Sequence, residues 1–80
     1  MLKVSILSPD KKIFEGNANL VEVPGEKGRF QMLINHAPIV SSLVKGYIRI
    51  IENNNSETKF EIESGVVECA NNEIIILIEK

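Results

Sequence analysis

The chain reads as an all-β domain, a sandwich or barrel of many short strands. Apolar residues recur with a period of two along most of its length. Turn-forming residues interrupt that pattern at short, fairly regular spacing. No segment carries a convincing helical repeat.

Leu2, Val4 and Ile6 alternate with Lys3 and Ser5, which puts one face of a strand in a core and the other toward solvent. Ser8-Pro9-Asp10 ends that strand, and Glu15-Gly16-Asn17 reads as the next turn. Val21 and Val23 resume the alternation around Glu22, up to Pro24-Gly25. Residues 24–38 then hold two of the three prolines, two of the five glycines and the only histidine. Pro24 and Pro38 fix φ near roughly –65°, and Gly25 and Gly28 can take positive φ. Composition alone reads this stretch as turn residues joining two strands. A loop so constrained also has a defined shape, and shaped loops on rigid sheets are where binding surfaces usually lie.

Residues 36–43 are expected to be extended, because Pro38 and the β-branched residues after it oppose a helix. Beyond Lys45-Gly46, Ile48 and Ile50 alternate with Tyr47 and Arg49. Beyond Asn53-Asn54-Asn55, Phe60 and Ile62 alternate with Glu61 and Glu63. Ser64-Gly65 is a further turn signal. Asn71-Asn72 suits a tight hairpin between Val66–Cys69 and Ile74–Ile78, since asparagine tolerates left-handed conformations. The run Ile74–Ile78 is apolar on both faces. Either it is covered on both sides, or its outer face meets something outside this chain.

Eighty residues make one domain, spanning 1–80. A net charge of –2, no basic stripe and few aromatics give no case for nucleic acid. Lys11-Lys12, the one adjacent basic pair, fits a solvated turn. Cys69 is single, so it forms no internal disulfide, and its place in an alternating strand marks a buried small hydrophobe. The N-terminus has no signal-peptide pattern, and the longest apolar run is too short to cross a bilayer as a helix. The expectation is an intracellular protein that meets a membrane only through a partner.

Catalysis ranks below binding. Glu61 and Glu63 share a strand face, a spacing that more often marks a solvated surface than an acid–base pair. One His and one Cys cannot build a structural zinc site. Gly25-Glu26-Lys27-Gly28 lacks the spacing and the Lys-Ser/Thr of a phosphate-binding loop. His36 with Ser41 or Ser42 lacks an obvious third member for a triad. No catalytic residue, cofactor or metal is therefore expected. His36 reads as a histidine that braces the turn through a loop carbonyl, as a contact at a partner interface, or as both.

Several fragments recur in one order. They are Leu2-Lys3-Val4 followed by Ser5-Ile6-Leu7 and Ser8-Pro9-Asp10, then Phe14-Glu15-Gly16, Val23-Pro24-Gly25-Glu26-x-Gly28, Asn35-His36-Ala37-Pro38, Lys45-Gly46-x-Ile48-Arg49-Ile50 and Gly65-Val66-x-Glu68. Each is weak alone, but together they resemble the epsilon subunit of F-type ATP synthase (delta in mitochondria), nearly from end to end. The resemblance implies a flattened β-sandwich of about ten short strands. It implies a non-catalytic central-stalk subunit that links gamma to the membrane c-ring, for proton- or sodium-driven ATP synthesis. It places the protein peripherally on the cytoplasmic face of the bacterial inner membrane. Carried over by position, Glu26, Lys27, Gly28, Arg29 and Phe30 resemble the loop facing the c-ring. Ser8, His36, Ala37, Pro38, Ser41 and Ser42 match positions toward gamma.

Two departures accompany the match. The family often runs Gly-Ile-Leu-Pro straight into x-His-Ala-Pro, whereas here Arg29 to Asn35 intervene and the proline is missing. If Arg29 faces the ring, an acidic partner there is expected, and Arg29→Glu is expected to weaken stalk assembly while leaving the fold largely intact. Many relatives also continue into a C-terminal helical hairpin, which nothing here encodes; neither hairpin-based inhibition nor an ATP site is expected. The alternative reading is a free-standing β-sandwich binding module for a peptide or sugar. It would need an aromatic-lined concavity from Phe14, Phe30, Tyr47 and Phe60. A small hydrolase using His36 and a serine is the remaining alternative.

Overall fold

Eight strands follow one another in a computed structural model that describes residues 1–79. They are β1 (Leu2–Leu7), β2 (Lys12–Gly25), β3 (Gly28–Leu33), β4 (Ile39–Leu43), β5 (Gly46–Glu52), β6 (Glu57–Ile62), β7 (Ser64–Ala70) and β8 (Glu73–Glu79). Period-two alternation is the cause in most of them. In β8, Ile74, Ile76 and Ile78 are buried while Ile75 and Leu77 face out. In β1, Leu2, Val4 and Ile6 are buried in the same way.

The two layers of the sandwich share one strand. The first half of β2 pairs with β1, and its second half pairs with β5 on one edge and β3 on the other. One layer is β3-β2-β5-β6; the other runs β2-β1-β8-β7-β4. All pairings are antiparallel except β1 with β8. Gly25 of β2 also pairs with Leu43 of β4, so the hydrogen-bonded path returns to β2 and closes. The body is flattened, with extents of 26 × 24 × 18 Å.

Sixteen buried apolar residues, drawn from all eight strands, form the core between the layers. No buried side chain among the described residues is polar or charged. Each large aliphatic side chain buried this fully contributes about 1.5–3 kcal/mol. Phe14 and Phe60 close one margin as an edge-to-face pair, with centroids 5.7 Å apart.

The architecture matches the expected sandwich, with eight strands in place of about ten. Glu15-Gly16-Asn17 is not a turn. Gly16 sits in the ladder opposite Val4, and β2 runs unbroken for 14 residues. Ser64-Gly65 likewise belongs to β7, paired with Glu79 and Ile78. Residues 28–33, read from composition as part of a loop, form β3, because Met32 and Phe30 alternate inward against β2. The Asn71-Asn72 hairpin is as expected: both residues have positive φ, 53° and 62°, as a primed turn requires.

Candidate protein interfaces

The two outer faces of the sandwich differ in kind. Outward residues of β4, β7, β8 and β1 bring Val40, Val66, Ile75, Leu77 and Leu7 onto one surface, with the exposed Glu68 between Val40 and Ile75. Val40 is 69% exposed, Leu77 53%, Val66 43% and Ile75 42%. This is the outer side of the Ile74–Ile78 run, and none of the described residues covers it. Next to it, Leu7, Pro9, Leu43, Val66, Leu77 and Ile78 line most of an apolar groove of about 580 Å³, with Ser8 and Ser42 also on its wall. Contiguous apolar surface on a small domain marks a place where a partner binds.

The opposite outer face is charged and self-paired. Strand register sets Gln31, Glu22, Arg49 and Lys59 side by side across β3, β2, β5 and β6. Glu22 accepts from Arg49 Nη1 at 2.9 Å and from Arg29 Nε at 3.4 Å. Arg49 Nε reaches Glu57 at 3.5 Å, and Lys59 Nζ lies 3.8 Å from Glu57. The Arg29 hydrogen bond is the largest cause holding the Glu22 carboxyl below its ordinary range; partial desolvation opposes it and Arg49 adds to it. A carboxylate with a lowered folded-state pKa stabilises the fold above its ordinary value of 4.5, and that stabilisation is lost as pH falls through the folded value. Glu22→Gln is therefore expected to flatten the acid side of the stability curve by under about 1 kcal/mol, with thermal unfolding from about pH 7 to about pH 3 as the check. Parallel acid limbs for the two proteins would show that Glu22 contributes none of that dependence.

The residues assigned by resemblance fall at two ends of the molecule. Glu26 and Lys27 are the exposed two-residue turn between β2 and β3, and Gly28 after them has φ 126°. Ser8, Ser41 and Ser42 lie toward the same end. Ser42 O accepts from Glu26 N at 3.0 Å, and residues 25–30 share a groove of about 600 Å³ with residues 39–42. His36, Ala37 and Pro38 lie at the far end of β3, beside the β7–β8 turn. There Asn35 and Asn72 clasp each other, Asn35 N donating to Asn72 Oδ1 at 2.6 Å and Asn72 Nδ2 to Asn35 Oδ1 at 3.1 Å. His36 Nδ1 is 2.7 Å from Ala37 O, which is the bracing contact. Phe30 packs against the core. Arg29 is engaged within the chain by Glu22 and Tyr47, so Arg29→Glu would set two carboxylates together and disturb the fold it was expected to spare.

These contacts assemble no catalytic constellation. Ser41 Oγ donates to Ser42 O at 3.1 Å and Ser8 Oγ to Lys11 O at 3.1 Å, and no hydrogen bond joins either to His36 among the described residues. The described residues hold no group of three or more His, Cys, Asp or Glu placed to bind a metal. Burial pushes the Cys69 thiol up, away from the thiolate a nucleophile needs. The aromatics are spent elsewhere: Phe14 and Phe60 on each other, Phe30 on the core, and Tyr47 beneath Arg29. Phe30 and Tyr47 border separate grooves, so the four aromatics do not converge on one aromatic-lined concavity. The charged ladder is the feature that sequence reasoning missed, because its members come from four strands and only register brings them together.

The family model described as "ATP synthase, Delta/Epsilon chain, beta-sandwich domain" matches residues 1–80. The ATP synthase epsilon chain of Chlorobium limicola is 38% identical over 77 residues, covering 96% of this chain and 88% of its own length. That of Rickettsia typhi is 38% identical over 80 residues, covering 98% and 73%. Among solved structures, a chain of the Euglena gracilis mitochondrial ATP synthase, determined with its c-ring, superposes with a TM-score of 0.88 at 14% identity. The match covers 99% of this chain and 51% of that one. A chain from the central stalk and c-ring of the Tetrahymena thermophila mitochondrial enzyme gives 0.79 at 19% identity, over 99% and 63%. At such identities the superpositions speak for the fold.

Proposed function

The chain belongs to the delta/epsilon-chain β-sandwich family of ATP synthase, and we propose that it is the joint of the central stalk that couples gamma to the c-ring. It catalyses nothing itself. It holds gamma and ring in register so that rotation driven by ion flow reaches the catalytic head. It sits peripherally, attached to the membrane through the complex alone, on the cytoplasmic face of the bacterial inner membrane.

The observation that carries this reading is the family match along residues 1–80. The two-faced surface supports it. The apolar strip of Val40, Val66, Ile75 and Leu77 fits a partner that stays bound, as obligate interfaces do, and we assign it to gamma. Ser8 and Ser42 border that strip and extend the same contact. The exposed Glu26-Lys27 turn fits the polar loops of a ring.

Co-expression with gamma from the same genome, followed by size-exclusion chromatography, tests this. Stable co-elution is the expected result. Failure to co-elute with well-folded gamma, repeated with the c-ring present, would overturn the stalk reading.

A further inference from the structure

The Glu26-Lys27 turn rises from a base fastened on both flanks. On the β4 flank, Glu26 N donates to Ser42 O at 3.0 Å and Val44 N to Pro24 O at 2.9 Å. On the β5 flank the ladder ends at Glu22 and Arg49, and beyond it toward the tip the fastening is the Arg29 side chain. Arg29 Nη1 donates to Tyr47 O at 2.9 Å, and its guanidinium carbon lies 3.9 Å from the centre of the Tyr47 ring. Its Nε is 3.4 Å from Glu22 Oε2. Lys59 Nζ lies 5.1 Å from the same ring, adding a second cation to it. Gly46 leaves room for the close approach, since a Cβ there would stand 3.0 Å from Pro24 Cβ. Among the described residues β3 pairs with β2 alone, so no neighbouring strand there holds its other edge.

We infer that Arg29 is a positioning residue: it ties the β2–β3 hairpin to β5, so that the exposed Glu26-Lys27 tip keeps one direction under load. It does this without touching the ring. The consequence for coupling rests on the stalk reading; the tie itself does not. Arginine is suited to the task because one planar fork stacks on an aromatic ring, donates to a carbonyl and meets a carboxylate together. Lysine keeps the charge and loses that combination.

The test separates charge from geometry. Arg29→Lys, Tyr47→Leu and Tyr47→Phe are compared in the isolated chain by amide hydrogen exchange at Glu26 and Gly28. They are compared in reconstituted synthase by ions pumped per ATP hydrolysed. Arg29→Lys and Tyr47→Leu are expected to speed exchange at the tip about tenfold while β7 and β8 keep their protection. Both are expected to lower pumping per ATP. Tyr47→Phe, which keeps ring and carbonyl, is expected to behave as the parent. Parental tip exchange in Arg29→Lys, or in Tyr47→Leu, would overturn the inference, because charge alone or the ladder alone would then suffice. Slowed pumping with an unchanged tip would also overturn it, and would make Arg29 a direct contact. If the parent chain does not assemble at all, the stalk reading falls, while exchange in the free chain still decides the tie.

Discussion

Gly65→Ala is expected to lower the melting temperature of the domain by roughly 12–24 °C, read by circular dichroism. Gly65 lies in β7 between Leu43 of β4 and Ile78 of β8. A Cβ at this position would stand 2.6 Å from Leu77 O, a backbone atom, and 3.4 Å from Ile78 Cα. No side-chain rotation relieves that clash, so β8 has to move away from β7. Because β8 also pairs with β1, the displacement spreads through its layer. Overpacking of this kind costs about 3 kcal/mol at the upper end of its usual range. For a domain this small, that is several degrees per kcal/mol. A shift below about 5 °C would show that β7 and β8 separate at little cost.

Leu77→Glu is expected to abolish stable binding to gamma, on the proposed assignment of this face, and barely to alter the isolated chain. Leu77 faces outward and is 53% exposed, so a glutamate there is solvated in the free protein and changes stability by about 0.5 kcal/mol or less. In the proposed complex the same carboxylate would be taken out of water beside Val66 and Leu7, with the acidic Glu68 and no cation among the outward residues of β7. An affinity loss of about 100-fold or more, roughly 3 kcal/mol, is expected. Calorimetric titration against gamma measures it, with thermal unfolding of the free variant as the check on fold. Glu61→Lys, on the opposite outer face, is the matched control. Undiminished binding by Leu77→Glu would remove the apolar strip from the interface and send the search to the charged face.

The strands that alternate cleanly were legible in the sequence because solvent and core select side chains directly. Leu2–Leu7, Gly46–Glu52 and Glu57–Ile62 are of this kind. Gly16 misled because turn chemistry and ladder chemistry overlap. A glycine beside two polar residues suggests a turn, yet here the Phe14 ring lies over it, 3.2 Å from where a Cβ would be. Gly28–Leu33 was obscured by the glycines and prolines around it, although Phe30 and Met32 already carried the alternation. The apolar outer face was half legible: the run Ile74–Ile78 announced two apolar sides, but Val40 and Val66 joined it only through pairing. The role of Arg29 was not legible, since Glu22 and Tyr47 lie on other strands.

The place of β8 has a consequence for how the molecule is made. It is the most C-terminal strand of the sandwich, yet it lies in the middle of its layer, between β1 and β7. Its parallel pairing with β1 joins Lys3 to Glu73, a loop closure across most of the chain. Topologies dominated by such distant pairings fold slowly, in milliseconds to seconds. On the ribosome, the β1–β2 hairpin therefore waits with an open edge until β8 has emerged. Ile75 and Leu77, which complete the apolar strip, arrive with that same strand. If that strip is the docking face proposed above, an unfinished chain carries no finished docking face, and assembly waits until translation has delivered the strand that closes the layer.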